Sequence, residues 1–325
     1  MFVIAEIACS HNGKINKLKK LIKDAAFAGS DAVQFQVWDL RYMMSPKNSL
    51  FKKLKKIEFT PEEWIEIIKF TKNKFPKLKI YCCFYEHKSF QILKKIKIDG
   101  IKINSSDLTN PLVLKEVSKF RGIKNLSVGG SSIEEINYAI KFLGKKNIIL
   151  MYGVQNFPTK IKDANLIKIA DLKKKFRLPV GYQDHTNFIS EDKNTLCFMS
   201  MAFGSTVLEK HICYTRAKGT YDFESALLRN EFKKFINQLR IIEESIGKDF
   251  SNKFTKSEKK YRSFQKKSIT LVKKKFSGEK IKAEDVAFLR TNNLGISPHK
   301  LKLIINRKLK RDLNPYSLIK FNILK

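Results

Sequence analysis

LPVGYQDHT, residues 178–186, and STVLEKHI, residues 205–212, are two short β-rich runs that each end close to a histidine. The apolar segment 196–203 between them is typical of a crossover helix, so the pattern predicts two neighbouring parallel strands. Such strands lie roughly 4.8 Å apart. We therefore expect His185 and His211 to meet at the carboxyl ends of these strands, where two imidazoles can bind one metal ion. The alternative, that each histidine is an ordinary loop or core residue, stays open.

The same alternation of short apolar runs and helical patterns extends back to the start of the chain. The predicted strands are 2–8, 31–37, 79–84, 100–104, 123–128, 147–152, 178–182 and 205–210. The predicted helices include 15–28, 61–73, 88–95, 133–143, 164–175 and 230–246. Eight alternations over about 250 residues predict a (β/α)8 TIM barrel, in which catalytic groups lie at the carboxyl ends of the strands.

Polar residues at those strand ends form the candidate site. In the second strand Gln34 and Gln36 share the face opposite Phe35, and helices should cover the outer faces, so the polar set is expected to point inward. The alternative is a sheet with one face in water. The candidates along the chain are Glu6, Gln34, Gln36, Cys83, Lys102, Ser105, Asp107, Ser127, Gln155, Asp184, His185 and His211.

Composition predicts a water-soluble cytoplasmic protein. The chain is 43% hydrophobic, yet no apolar run approaches the roughly 20 residues that span a bilayer, and the start lacks the features of a signal peptide. The five cysteines form no CxxC pair and leave one over in any disulfide scheme, which favours reduced thiols.

The net charge of +34 raises the alternative of a nucleic-acid-binding protein, with 65 Lys and Arg against 31 Asp and Glu. The lysines are spread along the whole chain, and we find no aromatic stacking run or recognisable reader motif. We therefore predict neither a nucleic-acid partner nor a membrane partner. An anionic substrate would still be attracted by this charge.

A second, smaller module is predicted after the barrel domain, which we assign to residues 1–246. The lysine-rich segment 247–263 is predicted to be a linker. Residues 264–325 contain short strands at 268–272 and 283–289 and a helix near 298–304, which predicts a compact β-rich domain. It is too small to be catalytic alone and could serve as a lid or an oligomerisation unit.

An ordered set of motifs resembles the sialic acid (N-acetylneuraminate) synthase family, whose members join a barrel to a C-terminal antifreeze-like (SAF) domain. The motifs cover nearly the whole chain: AEIACSHNG (5–13), DAVQFQ (31–36), IKINSSDLTN (101–110), LSVGG (126–130), PVGYQDHT (179–186), LEKHI (208–212) and GISPHKL (295–301). The resemblance implies condensation of phosphoenolpyruvate with the open-chain aldehyde of an N-acetylated hexosamine such as N-acetylmannosamine. Phosphate is released and a nine-carbon 2-keto sugar acid, a nonulosonic acid, is formed.

The resemblance also assigns roles to individual residues. His185 and His211 match the ligands of a divalent metal, usually Mn²⁺, with Mg²⁺ or Co²⁺ as alternatives. Contacts to phosphoenolpyruvate are matched by Lys102, Ser105 and Ser127, and contacts to the amino sugar by Glu6, Gln36 and Asp222. Glu6 and Asp107 are the candidate catalytic carboxylates, with Asp107 standing where the family usually has Glu.

Arg290 matches an arginine that, in the family, reaches the acyl group of the sugar from the partner subunit. The resemblance therefore implies a domain-swapped homodimer in which the C-terminal domain of one subunit completes the site of the other.

Several departures from the family pattern, among them Phe157 where Tyr is common, fall on the side that should bind phosphoenolpyruvate. Gln34 replaces a lysine and Cys83 replaces the usual Thr, while Gln155 and Gln183 stand where shorter side chains are common. Gln34, Gln155 and Gln183 remain candidate substrate-binding residues. The departures raise an alternative function, a divergent and catalytically weakened homologue that acts as a sugar-binding or scaffold subunit.

Overall fold

Eight parallel strands form a closed barrel in the computed structural model, which describes residues 1–156, 158–247 and 253–325. The strands pair in chain order, and β1 also pairs with β8, which closes the sheet. The strands are β1 Phe2–Glu6, β2 Ala32–Val37, β3 Lys79–Phe84, β4 Gly100–Ile103, β5 Ile123–Ser127, β6 Ile148–Tyr152, β7 Val180–Asp184 and β8 Ser205–Ile212, with a short β9, Ala226–Leu227, beside the end of β8. The predicted (β/α)8 barrel is thus confirmed.

Helices connect these strands and cover the barrel. They are α1 Ile15–Ala28, α2 Leu40–Met43, α3 Phe51–Lys55, α4 Pro61–Lys74, α5 Pro111–Ser118, α6 Ile133–Leu143, α7 Ile167–Phe176, α8 Thr195–Ala202 and α9 Arg229–Ile246, followed after the barrel by α10 Lys256–Gln265. Within the described ranges, none of them is both long and apolar enough to cross a bilayer. The predicted helix starts at residues 61 and 133 are confirmed, because the side chains of Thr60 and Ser132 cap the two helices.

Several segments differ from the prediction. Residues 283–285, predicted as the start of a strand, are the 3-10 turn Ala283–Asp285, and the helix predicted near 298–304 is the 3-10 segment Pro298–Leu303. The stretch between β3 and β4, predicted as an ordinary helix, is the 3-10 segment Lys88–Lys94. Helix α5 was not predicted, although Asn110 caps it by accepting from the N–H groups of Leu112 and Val113. Helix α10 occupies the second half of the segment predicted as a linker, and residues 248–252 of that segment lie outside the described residues.

The barrel separates an apolar outer layer from a polar interior. Phe35 and its apolar neighbours on β2 pack between the sheet and the helices. Toward the amino ends of the strands, which we call the lower barrel, the interior is instead filled by an apolar cluster of Ile4, Ala32, Tyr81, Met151 and Val207. Above this cluster the inward side chains are polar. The predicted inward orientation of the polar set is therefore correct, and the alternative of a sheet with one wetted face is wrong.

The chain divides into two compact units, Met1–Gly247 and Lys248–Lys325. In the second unit β10, Lys267–Leu271, pairs antiparallel with β11, Val286–Arg290. This unit has its own core of ten buried aliphatic residues: Ile269, Leu271, Ile281, Ile296, Ile304, Leu309, Leu313, Ile319, Ile323 and Leu324.

A buried carboxylate holds the second unit together. Lys275 Nζ donates to Asp285 Oδ2 at 2.7 Å and to the carbonyl oxygen of Lys280 at 2.8 Å. Lys273 Nζ lies 2.9 Å from Asp285 Oδ1, and the N–H of Lys282 donates to Oδ2 at 2.9 Å. Burial acts to raise the pKa of Asp285, but the two ammonium groups outweigh it and hold that pKa below its usual range.

Asp285→Ala is expected to destabilise the second unit by about 3 kcal/mol, because it leaves the buried Lys275 ammonium without its carboxylate. Hydrogen exchange of the β10 amides in the full chain measures this loss. The pKa of Asp285 is lower in the folded state than in the unfolded chain, so the substitution should remove its full share of the free energy of unfolding above pH ~4. This destabilisation should become smaller as the pH falls through the folded-state pKa. Glu284→Ala, which removes an exposed carboxylate next in sequence, is the control and should change exchange little. An equal effect of both substitutions would contradict the role of the buried pair.

Candidate active site at the barrel mouth

Four side chains from four strands meet inside the barrel and form what we call the buried network: Glu6, Gln34, Lys102 and Glu209. Lys102 Nζ donates to Glu209 Oε1 at 2.6 Å, although β4 and β8 are four strands apart in the sheet, so the lysine side chain reaches across the interior. Gln34 Nε2 donates to Glu209 Oε2 at 3.0 Å and also to Glu6. The network thus contains two carboxylates, one ammonium and a neutral amide between the carboxylates.

Burial and mutual repulsion give the network an unusual charge state. Burial raises the pKa of Glu6 to about 7, with a further contribution from the nearby Glu209 carboxylate. Burial acts to lower the pKa of Lys102, but the neighbouring acidic groups, Glu209 foremost, together outweigh it, so the pKa of Lys102 is raised above its usual value. The lysine is therefore an ammonium at neutral pH, while Glu6 can gain or lose a proton there, as a general acid or base must.

His185 and His211 lie beside each other at the carboxyl ends of β7 and β8, with ring centroids 5.1 Å apart. His185 Nδ1 lies 2.9 Å from the carbonyl oxygen of Val154, a hydrogen bond that makes Nδ1 the protonated nitrogen and Nε2 the one with a lone pair. The Nδ1 atom of His211 is buried and has no hydrogen-bond partner among the described residues. The predicted proximity of the two rings is therefore confirmed.

This histidine pair fits a divalent cation. Two ring nitrogens about 2.1 Å from one ion would place the ring centroids on the order of 5 Å apart. Burial lowers the pKa of both histidines, so both rings are neutral, as metal ligands must be. No group of three or more His, Cys, Asp or Glu side chains within the described ranges could hold a metal. The two histidines would thus leave the other coordination positions to oxygen atoms from outside the chain.

Ser127, Gln155 and Gln183 form a neutral cluster on the neighbouring strand ends. Ser127 Oγ donates to Gln183 Oε1 at 2.8 Å, and Gln155 Nε2 donates to Ser127 Oγ at 3.0 Å. Two glycines permit this approach, because a Cβ at Gly153 would lie 2.1 Å from the Gln183 carbonyl oxygen and one at Gly129 only 1.8 Å from that of Gly153. The first glycine of the LSVGG motif, Gly129, therefore lets two backbones touch.

Gln36 and Asp222 lie on either side of Cys9. The N–H of Cys9 donates to Asp222 Oδ2 at 2.8 Å, and Cys9 Sγ is 3.9 Å from Gln36 Oε1. Asp222 has a φ of 58°, a left-handed conformation that turns the loop after β8 toward the loop after β1. Burial raises the pKa of Asp222 above its usual range. Two of the three residues predicted to bind the amino sugar, Gln36 and Asp222, thus both contact Cys9, whereas the third, Glu6, belongs to the buried network.

Ser105 and Asp107 lie on the short 3-10 turn that follows β4. Asp107 accepts from Asn110 Nδ2 at 2.8 Å and from Ser106 Oγ at 3.1 Å, and burial raises its pKa. Neither hydrogen bonds nor ion pairs of the described residues link Asp107 to Lys102. Cys83 is buried on β3 and aligned in register with Lys102. Arg290, on β11 of the second unit, is exposed, and its predicted role stays a prediction.

Glu209 is the residue that the sequence reasoning missed. It stands two residues before His211 in LEKHI, so the two-residue period of a strand places both on the inner face. Asp184, one of the polar residues at a strand end, is not part of the buried network. Its carboxylate pairs with the fully buried Lys210 and accepts from Thr186 Oγ1 at 2.6 Å.

Comparison with known proteins identifies similar chains over most of this length. The model of the NeuB family matches residues 21–251. An uncharacterized protein of Methanocaldococcus jannaschii is 32% identical over 96% of this chain and 90% of its own length. N,N'-diacetyllegionaminic acid synthase of Campylobacter jejuni is 29% identical over 85% of this chain and 86% of its own.

A solved structure gives the same result for the fold. The crystal structure of N-acetylneuraminic acid synthetase from Leptospira borgpetersenii, in complex with citrate, superposes with a TM-score of 0.73 at 27% identity. The superposed region covers 80% of this chain and 90% of the solved chain.

Proposed function

This chain belongs to the NeuB family, and from that membership we propose that it condenses phosphoenolpyruvate with the open-chain aldehyde of an N-acetylated hexosamine, such as N-acetylmannosamine, to form a nonulosonic acid. The observation that carries the proposal is the meeting of a buried lysine ammonium and a pair of neutral histidines in one barrel mouth. A cation site beside a fixed ammonium suits a reaction between a phosphorylated carboxylate and an aldehyde.

The reaction requires one carbon–carbon bond to form and one bond to phosphate to break. Carbon 3 of phosphoenolpyruvate attacks the aldehyde carbon, and the aldehyde oxygen takes up a proton. Water then adds to carbon 2 and loses a proton, after which phosphate leaves and carbon 2 becomes a ketone. A divalent cation at His185 and His211, expected to be Mn²⁺ with Mg²⁺ and Co²⁺ as alternatives, would polarise the aldehyde oxygen when bound.

The chain's own groups can perform the remaining tasks. Lys102, held by Glu209, offers a fixed positive charge to the phosphate or carboxylate of phosphoenolpyruvate. Glu6, with a pKa of about 7, can give a proton to the aldehyde oxygen and recover one from water. Ser105, Ser127, Gln155 and Gln183 are proposed contacts to phosphoenolpyruvate, and Gln36 and Asp222 to the sugar. Asp107 is a second proposed proton-transfer group, supported by its raised pKa.

One observation favours a second candidate function. Gln34 places a neutral amide between the Glu6 and Glu209 carboxylates, so the buried network contains only one cation for two carboxylates. A site with less positive charge binds a trianionic substrate more weakly. The alternative is therefore a catalytically weakened homologue that binds the sugar or serves as a scaffold subunit.

Phosphate release separates the two functions. The purified full chain is incubated with Mn²⁺, phosphoenolpyruvate and a panel of acceptors that includes N-acetylmannosamine and diacetamido hexoses, and the product is identified by mass. We expect sugar-dependent phosphate release with at least one acceptor, and none when the sugar is omitted. Sugar binding by calorimetry without phosphate release for any acceptor or cation would support the alternative and reject the synthase.

We also propose a homodimer in which Arg290 reaches the sugar in the partner's site. Mixing an inactive Arg290→Ala chain with an inactive His211→Ala chain should then restore activity, because half of the sites in a mixed dimer combine an intact Arg290 with an intact His211. Phosphate release after subunit exchange measures this, and up to about one quarter of the wild-type rate is expected if exchange is random and complete. No recovery, although subunits exchange, would contradict the shared site.

We propose a cytoplasmic location for the reaction. All five cysteines are free and buried, which supports a reducing compartment.

A further inference from the structure

Asn125 is a buried polar residue to which the proposed mechanism gives no role. It lies on β5 two residues before Ser127, so both point into the barrel and Asn125 is about 6.6 Å deeper. Its side chain is completely buried, and neither its amide nitrogen nor its amide oxygen has a hydrogen-bond partner in the part of the chain that the structure describes. Since both atoms lack partners, exchanging the two in the amide group would not remove the problem.

The surroundings of Asn125 explain why the lack of hydrogen-bond partners for its amide is costly. Asn125 is aligned in register with Lys102 on β4 and with Ile149 on β6, just above the apolar cluster of the lower barrel. A buried amide without partners is strongly unfavourable in such a place, and native proteins normally satisfy it through protein groups, ordered water or a ligand.

A third buried polar atom without a hydrogen-bond partner among the described residues belongs to the buried network. Gln34 Nε2 donates to Glu209, a carboxylate that also accepts from the Lys102 ammonium, so the orientation of this amide is fixed. The oxygen Oε1 must therefore point elsewhere, and it is buried with no partner among the described residues.

Lys102 supplies the complementary donors. An ammonium has three N–H groups, and the described hydrogen bonds of Lys102 use one of them, to Glu209. The interior thus has unused acceptors on Gln34 and Asn125 and unused donors on Lys102 and Asn125. A water molecule needs two to four such partners and can both donate and accept.

We propose that Asn125 and the Gln34 carbonyl oxygen bind internal water beside Lys102, and that this water makes Asn125 a positioning residue for the lysine ammonium. Glu209 fixes the ammonium from one side of the barrel. The water bound by Asn125 fixes it from the strand next to its own, so that the remaining N–H faces the mouth. The effect on turnover rests on the proposed function, whereas the hydration site does not.

A high-resolution crystal structure of the full chain tests the hydration site directly. We expect ordered water about 2.7–3.2 Å from the Asn125 amide. Asn125→Val and Asn125→Thr are a matched pair, because they have nearly the same shape but only Thr can hydrogen-bond. In the Val variant the ordered water should be absent and kcat for phosphate release should be about tenfold lower, with KM for the sugar unchanged. The Thr variant should keep the ordered water and most of the wild-type kcat. Ile149→Val, which alters the adjacent strand without changing any polar group, is the control and should keep the wild-type kcat.

Several outcomes would overturn the inference. One is a wild-type structure with no ordered water at Asn125. Another is a Val variant with unchanged kcat and a higher melting temperature, as expected if Asn125 is merely an unpaired polar group. If the Val variant fails to fold, the inference is still tested by the presence of ordered water in the wild-type crystal structure and by the kcat of the Thr variant. If the wild-type protein releases no phosphate with any sugar, the proposed function fails, but the crystallographic result continues to test the hydration site.

Discussion

His211→Ala is expected to lower Mn²⁺-dependent phosphate release about a thousandfold, which corresponds to losing about 4 kcal/mol of transition-state stabilisation by the cation. The structure offers two histidines for the ion and no larger group of ligands among the described residues, so each histidine should be essential. The fold should survive, because His211 Nδ1 makes no hydrogen bond to another described residue. Metal content and circular dichroism of the purified variant accompany the rate measurement.

His185→Ala should cause a similar loss of rate together with some loss of stability, because this ring also hydrogen-bonds to Val154. His87→Ala provides the control, since His87 packs against Tyr42 and lies outside the histidine pair. Wild-type turnover in the His211 variant after chelation and dialysis would refute metal binding at the pair.

Lys102→Met is expected to cost about a thousandfold in kcat/KM for phosphoenolpyruvate, because it removes the only ammonium of the buried network. It should also destabilise the barrel by about 3 kcal/mol, since it leaves the buried Glu209 carboxylate without a cation. Steady-state kinetics and chemical denaturation measure the two effects separately.

The double variant Lys102→Met with Glu209→Gln distinguishes charge pairing from catalysis. It should recover most of the lost stability, because neither charge of the pair remains, but none of the lost activity. Recovery of activity in the double variant would show that Lys102 acts only as a structural counter-ion.

The barrel could be predicted from the sequence because its signals are local. Each strand is a short apolar run, the helix before β3 begins at the capping residue Thr60, and the two-residue period of β2 shows which side chains point inward. The proximity of His185 and His211 follows from the same logic, because consecutive parallel strands must end side by side.

The partners inside the barrel could not be predicted in this way. The pairing of Lys102 with Glu209 joins strands four apart in the sheet, and the two-residue period of β8 indicates that Glu209 points inward but not which side chain it meets. The mutual hydrogen bonds of Ser127, Gln155 and Gln183 likewise depend on two glycine contacts between separate strand ends. The side-chain partners across the barrel are set by its tilt and closure, which no single segment encodes.

The backbone contacts at Gly129 and Gly153 have a practical consequence for mutagenesis of the barrel mouth. Any side chain at either position would collide with a neighbouring carbonyl oxygen, so libraries that randomise them should yield mostly misfolded chains. Gln155 and Gln183, whose side-chain amides hydrogen-bond to Ser127, can be replaced without placing a new Cβ against a carbonyl oxygen. Diversity directed to these two glutamines should therefore retain soluble variants while reshaping the rim.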